Sequence, residues 1–147
     1  MTGDEIVAKA RSYIGVVTSY SMDAALQGEH CTDCSGFVWR VFGRHKCQDG
    51  RWWNTAVIYA DASGEQKQFT RLDAAEPGCL VVYDAAHNGG HTGHVSFVAD
   101  PETHQIIDCS GSHNGVHIHD GGYFWHHPGA LFCRYHGATD GIENQGS

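Results

Sequence analysis

The chain has 147 residues, 41% of them hydrophobic and 18% charged, which suits one folded domain and excludes an intrinsically disordered chain. A formal charge of −8 without a basic run argues against nucleic acid or an anionic membrane surface as primary partner. No stretch of 18 apolar residues occurs, so no membrane-spanning helix is expected.

Residues 2–14 read as a first helix. Thr2 and Glu5 have capping-box spacing, Ile6, Val7, Ala10, Tyr13 and Ile14 fall on one stripe, and Gly15 supplies a stop. Residues 16–33 are polar and turn-rich and read as a loop. A second helix is expected to begin near Cys34, with Asp33 as N-cap, Phe37, Val38, Val41 and Phe42 as its apolar face, and Gly43 as its end. Residues 44–75 are ambiguous, with "NTAVIYADA" a candidate short helix and "RWW" placing Trp52 beside Trp53.

From residue 77 the character changes to strands. "GCLVVYD", "GHVSFVAD", "QIIDCS", "GVHIHD" and "ALFCRYH" are short β-prone runs separated by Gly, Pro, Asn and Asp. The 19 glycines fit such a turn-rich half. With no repeat and no linker, residues 1–137 are expected to form a single α+β domain, helices first and an antiparallel meander second, followed by a polar tail at 138–147. The start, "MTGDEIVAKA", carries acids and lacks a charged-then-apolar leader, so the chain is expected to be made in a cytoplasm without a signal peptide. The six cysteines are then expected to be reduced rather than a disulfide framework.

Cys34 stands where a helix N-terminus would stabilise a thiolate, and its neighbours Ser35 and Gly36 are small enough for a substrate to approach. The same residue is open to two other readings, a buried core thiol or a metal ligand with Cys31. A nucleophilic thiol needs a base, and the base an orienting group. His94 opens one strand and Asp108 closes the next. They are 14 apart, an even number, so a hairpin turning at "DPE" is compatible with both side chains on one face. Equally, His94 reads as a strand-edge histidine and Asp108 as a turn former.

Metal binding has its own residues. Cys31 and Cys34 have CxxC spacing, His87, His91 and His94 cluster, and so do His113, His117 and His119, the last two on one strand face. A structural zinc site usually takes two such pairs, and one CxxC is present. A redox motif would want a βαβ pattern around the CxxC, which is lacking.

The order and content of four segments resemble the NlpC family of cell-wall cysteine peptidases. "DCSGFV" at 33–38 matches the family's nucleophile motif, "PGCLVVY" at 77–83 resembles its Pro-Gly-Asp-Leu strand, "GHVSFVAD" at 93–100 resembles the strand carrying its His, and "IIDCSGS" at 106–112 resembles the strand whose polar residue orients that His. The resemblance implies a papain-like α+β fold, with helices packed on a small antiparallel sheet. It implies Cys34 as nucleophile, His94 as base and Asp108 in a third position that is often His in the family. Tyr20 falls where the family has a Tyr near its site, although "TSYSMDAA" lacks the usual Trp-Gly-Gly. The implied substrate is the stem peptide of bacterial peptidoglycan, cut at a γ-D-glutamyl–diamino acid amide without a cofactor.

Ser35, Gly36, Tyr20, Trp52 and Trp53 are the expected substrate-binding residues. Alternatives are an amidase acting at the sugar–peptide junction, a zinc-binding His/Cys-rich domain, and a papain-like shell that binds wall peptide without cutting it. A Cys31–Cys34 disulfide that silences the enzyme on oxidation is a further expectation. A lone catalytic domain acting on the wall as a monomer fits a phage enzyme or an injected effector, the latter with an inhibitor or immunity protein as partner.

Overall fold

The computed structural model describes residues 1–43 and 54–136; Trp52, Trp53, Cys47 and the tail at 138–147 lie outside the described residues. Helix α1 (Gly3–Arg11) starts as its sequence dictates, with Thr2 Oγ1 accepting from Glu5 N–H and the Glu5 carboxylate accepting from Thr2 N–H. Its helical bonding ends at Arg11, short of Gly15, and turns carry the chain on to a left-handed Gly15. Helix α2 (Cys34–Phe42) begins on Asp33, whose carboxylate accepts from Gly36 N–H at 2.8 Å, and ends on a left-handed Gly43. Helix α3 (Thr55–Ser63) is capped by Asn54, which accepts from Val57 N–H at 3.0 Å.

Two short parallel strands, β1 (Ser19–Tyr20) and β2 (Cys31–Thr32), bring Tyr20 alongside the start of α2. A six-stranded antiparallel sheet follows, formed by β3 (Phe69–Leu72), β4 (Leu80–Tyr83), β5 (His94–Asp100), β6 (Gln105–Ser110), β7 (Gly115–Asp120) and β8 (Leu131–Tyr135). Its order, β3-β8-β4-β5-β6-β7, corrects the expected meander in one respect. Strands β4 to β7 do run as a meander, but β8 returns to pair with β4 on its other side and there receives β3. Strand β3 and the short helix α4 (Gly122–Trp125) have no counterpart in the sequence reading. "FTRL" is too short and too mixed to show a period, and α4 is a single turn.

Helix α2 lies on one face of this sheet and is nearly all core. Phe37, Val38, Trp39, Val41 and Phe42 are buried among Val82, Val95, Phe97, Ile107 and Tyr135. Phe37 and Phe42 both meet Phe97 edge-on at 5.5 Å between ring centroids. Each such side chain contributes about 1.5–3 kcal/mol by leaving water, so the helix is fixed over its whole length and its first residue with it. The other face carries a smaller core of Cys79, Val81, Val98 and Ile106, covered by Phe124, Trp125 and Phe132.

Strand β5 is brought against the end of β4 by a glycine. A Cβ on Gly93 would run into the Tyr83 carbonyl oxygen and lie 2.9 Å from Asp84 Cα. Gly93→Ala is therefore expected to lower stability by about 1–3 kcal/mol through overpacking, read as a lower urea midpoint. Gly28→Ala, where a Cβ meets nothing within 4 Å, is expected to stay within about 0.5 kcal/mol of the parent.

Candidate active site

Three elements meet at Cys34. Helix α2 presents the thiol from its first residue, 6% exposed. Strand β5 presents His94 from its own first residue, and the Val95 N–H reaches the sulfur as well. Helix α3 presents Thr55, whose Oγ1 lies 3.4 Å from Cys34 Sγ.

His94 lies close enough to the thiol to favour its thiolate form, and the thiolate in turn favours a protonated His94. His94 Nε2 faces Asp108 Oδ2 at 2.6 Å, which leaves Nδ1 as the nitrogen for the sulfur. Asp108 is fully buried on β6, where the hairpin pairs β5 and β6 through Phe97–Ile107 and Val98–Ile106. The two residues thus share the face that their even spacing allowed. Ser96, between them on that face, donates to Asp108 Oδ2 at 3.0 Å. The second oxygen, Oδ1, faces His119 Nε2 on β7 at 2.7 Å.

The charges follow from these contacts. Burial pushes the Asp108 pKa up, but hydrogen bonds from His119 and His94, with their charges, outweigh it and hold the carboxyl well below the usual range. Burial opposes a charge on His94 too, yet the bonds to Asp108 and Cys34 raise its pKa. For Cys34, burial favours the thiol, while His94, Thr55 and the Val95 N–H favour the thiolate, and the net shift is downward. Both shifts favour a thiolate–imidazolium pair backed by a carboxylate.

The site opens onto a groove of about 630 Å³ lined by Tyr20, His94, Ser110, Gly111, His113, His119, Tyr123 and Phe124, among others. Phe124, from α4, stacks on the His94 ring at 4.7 Å and shields it. The Tyr20 pKa is pushed up to about 12 by burial and by the Cys34 charge, so its phenol is a proton donor. A second hollow, about 450 Å³, lies on the far side of the α2 N-terminus and includes Asp33, Ser35, Gly36 and Arg40. Met22 borders both.

The structure thus brings together Cys34, His94, Asp108 and Tyr20. Ser35 and Gly36 face the second hollow, and Gly36 also has a packing reason to be glycine. A Cβ there would strike Thr32 Oγ1 and lie 2.8 Å from Asp33 Oδ1. Sequence reasoning missed Thr55, Ser96, His119 and Phe124. His119 was visible only as part of a histidine cluster suited to metal. Among the described residues, no group of three or more His, Cys, Asp or Glu is arranged to hold a metal ion. Cys31 and Cys34 are free thiols here, as are Cys79, Cys109 and Cys133.

A CHAP domain model matches residues 20–112, well over half of the chain. Among solved structures, the NlpC/p60 domain of the peptidoglycan hydrolase SagA superposes with a TM-score of 0.56 at 22% identity, covering 89% of this chain and 97% of that one. NlpC2 from Trichomonas vaginalis gives 0.54 at 17% identity, over 92% of this chain and 48% of that one. NlpC1 from the same organism gives 0.53 at 17%, over 89% and 44%. The chain spans about half the length of the two Trichomonas proteins. At these identities the likeness is one of fold. No curated protein matches.

Replacing Thr55 with Val removes the hydroxyl from the sulfur without changing shape. Alkylation of Cys34 by iodoacetamide at mildly acidic pH is expected to slow about fivefold, the worth of roughly 1 kcal/mol of hydrogen bond to the thiolate. Thr55→Ser is expected to restore the rate.

Proposed function

The chain belongs to the CHAP domain family, and from that membership we propose that it cuts peptidoglycan stem peptides with Cys34 as nucleophile, His94 as base and Asp108 as orienting residue. The enzyme class is that of the family, a peptidoglycan hydrolase of the cysteine peptidase or amidase kind. The observation that supports the residue roles is the meeting of Cys34, at a helix N-terminus, with His94, whose Nε2 lies 2.6 Å from Asp108 Oδ2 on the edge of a groove.

In this mechanism the Cys34 thiolate attacks the amide carbonyl carbon. The oxygen that becomes negative is received at the start of α2. There Gly36 N–H is taken by the Asp33 side chain and Phe37 N–H by the Asp33 carbonyl, so Cys34 N–H is the donor nearest the sulfur. The protonated Tyr20 phenol assists it in this proposal. His94 Nδ1–H protonates the departing amine as the C–N bond breaks, leaving a thioester on Cys34. His94, now neutral, takes a proton from water, and the hydroxide equivalent displaces the thiolate to release the acid. Asp108 keeps Nε2 protonated throughout, so that Nδ1 is the nitrogen that exchanges protons with the reaction.

The bond we assign is the γ-D-glutamyl–diamino acid amide. The chain's resemblance to the NlpC enzymes supports that choice. Substrate is expected to lie across Tyr20 and Met22 toward the second hollow, beside Ser35 and Gly36. Trp52 and Trp53 remain assigned to binding on sequence alone. Action on the wall of a target cell, in a phage or an injected effector, is the setting proposed for it.

Sacculi of several chemotypes, digested with the parent protein and with Cys34→Ala, test the assignment by mass spectrometry of released fragments. Cuts at the γ-D-glutamyl–diamino acid bond by the parent alone are expected, with at least a 10³-fold loss in Cys34→Ala, on the order of what a lost nucleophile costs. Intact stems freed from sugar would reassign the bond to the sugar–peptide amide. Equal cutting by both proteins would overturn Cys34 as nucleophile.

A further inference from the structure

Asp108 does not serve His94 alone. Its Oδ1 faces His119 Nε2 at 2.7 Å, and the other nitrogen of that ring, Nδ1, lies 3.2 Å from the Asp120 carbonyl oxygen. A carboxylate and a carbonyl can only accept. Neutral imidazole has one N–H and would set a lone pair against one of these oxygens, whereas imidazolium satisfies both. The side chain is 17% exposed, with the His113 ring stacked on it at 4.2 Å and the Phe124 ring edge-on at 6.3 Å. Nothing in a Cys–His–Asp relay requires this fourth residue, and its neighbours leave it little freedom.

We propose that His119 is a positioning residue of the reaction: held as an imidazolium between the Asp108 carboxylate and the Asp120 carbonyl, it locks Asp108 with Oδ2 toward His94. The proposal rests on the assignment of Cys34, His94 and Asp108 given above. The site then alternates in sign, from thiolate to imidazolium to carboxylate to imidazolium, and is neutral as a whole. Without His119, Oδ1 would be a buried acceptor with no partner. The carboxyl could then turn or take up a proton, and it would no longer fix the protonated nitrogen of His94.

The groups facing His119 are Asp108 from β6, His94 from β5, and His113 from the β6–β7 turn, with His117 behind it on β7. Phe124, from α4, brings no charge. The hydrogen bond to Asp108 raises the His119 pKa, against burial and against the like charge of His94. The sign of its contribution follows. The imidazolium is present at low pH and is lost as pH rises through the raised value, so the benefit of His119 fades on the alkaline side.

The test uses the full chain and a defined stem-peptide substrate, with kcat and KM measured against pH for the parent, His119→Gln and His119→Ala. Gln keeps an N–H for Asp108 but carries no charge. Expected is a fall in kcat of roughly 10- to 100-fold for Ala, as for other residues that orient a reactive ligand, with KM within about twofold. Gln should recover part of the loss, and the parent-to-variant ratio should shrink as pH rises. Nitrogen-15 NMR of the parent is expected to show two imidazoles with both ring nitrogens protonated at pH 7, His94 and His119, with one of the two sets of signals vanishing in His119→Gln. This spectrum decides the charge on His119 even if the Ala variant fails to fold. A neutral His119 ring at pH 7, or a folded Ala variant with parental kcat at every pH, overturns the proposal. A parent that cleaves no stem peptide overturns the catalytic assignment as well, which separates the two failures.

Discussion

The buried carboxylate of Asp108 is the constraint on which the site depends. A charge withdrawn from water costs several kcal/mol unless donors replace the lost solvent. Here Ser96 and His94 on β5 and His119 on β7 supply them to a carboxylate on β6. Three neighbouring strands are thereby tied at one point, and their register is set by polar pairing as well as by the core. The same contacts determine the chemistry. A carboxylate that cannot be neutralised keeps its histidine partners cationic, and a cationic His94 in turn favours the thiolate beside it.

The thiolate is held from the helical side by a different means. Cys34 is the first residue of α2, and Thr55, whose Oγ1 lies 3.4 Å from the sulfur, is the first residue of α3. The two N-termini therefore meet at the anion, each bringing partial positive charge. Neither helix could do so without its own anchor. Helix α2 is fixed by Phe37, Trp39 and Phe42 in the core. Helix α3 is fixed by Ile58 and by Asp61, whose carboxylate accepts from the backbone N–H groups of Lys67, Gln68 and Phe69 and so also starts β3. Packing far from the sulfur thus sets the position of the groups that charge it.

What could be read in the sequence was local or periodic. Capping residues at Thr2 and Asp33, the apolar stripe of α2 and the β-prone runs of β5 and β6 are each written within a few consecutive residues. The even spacing of His94 and Asp108 put them on one face because one tight hairpin joins them. The remainder needed contacts distant in sequence. Strand β8 pairs with β4 across a gap that holds three other strands, and nothing in "ALFCRYH" says which neighbour it takes. Thr55 reaches Cys34 from a separate helix. His119 reaches Asp108 because β7 pairs with β6 so that His117 stands opposite Asp108, with His119 two residues further on the same face. In the sequence it was one of 12 histidines, and the histidine-rich run suggested metal before it suggested a carboxylate's second partner.

The acidity of the chain bears on substrate in a way that composition alone misjudges. A net charge of −8 repels an anionic wall peptide at long range. That repulsion is screened over about 8 Å at physiological salt, and what meets the substrate is the groove. Its described lining holds tyrosines, Phe124, Asn88, Ser110, Thr92 and histidines, with no aspartate, glutamate, lysine or arginine. Asp108, which is close to this surface, is fully covered and balanced by two imidazoles. The cleft is therefore close to neutral within an acidic protein, and the histidines are the groups in that lining able to carry positive charge toward a carboxylate of the stem. On the proposed assignment, recognition rests on shape, on aromatic contact and on those histidines, and the negative surface bears on the rate of approach more than on the strength of the bound complex.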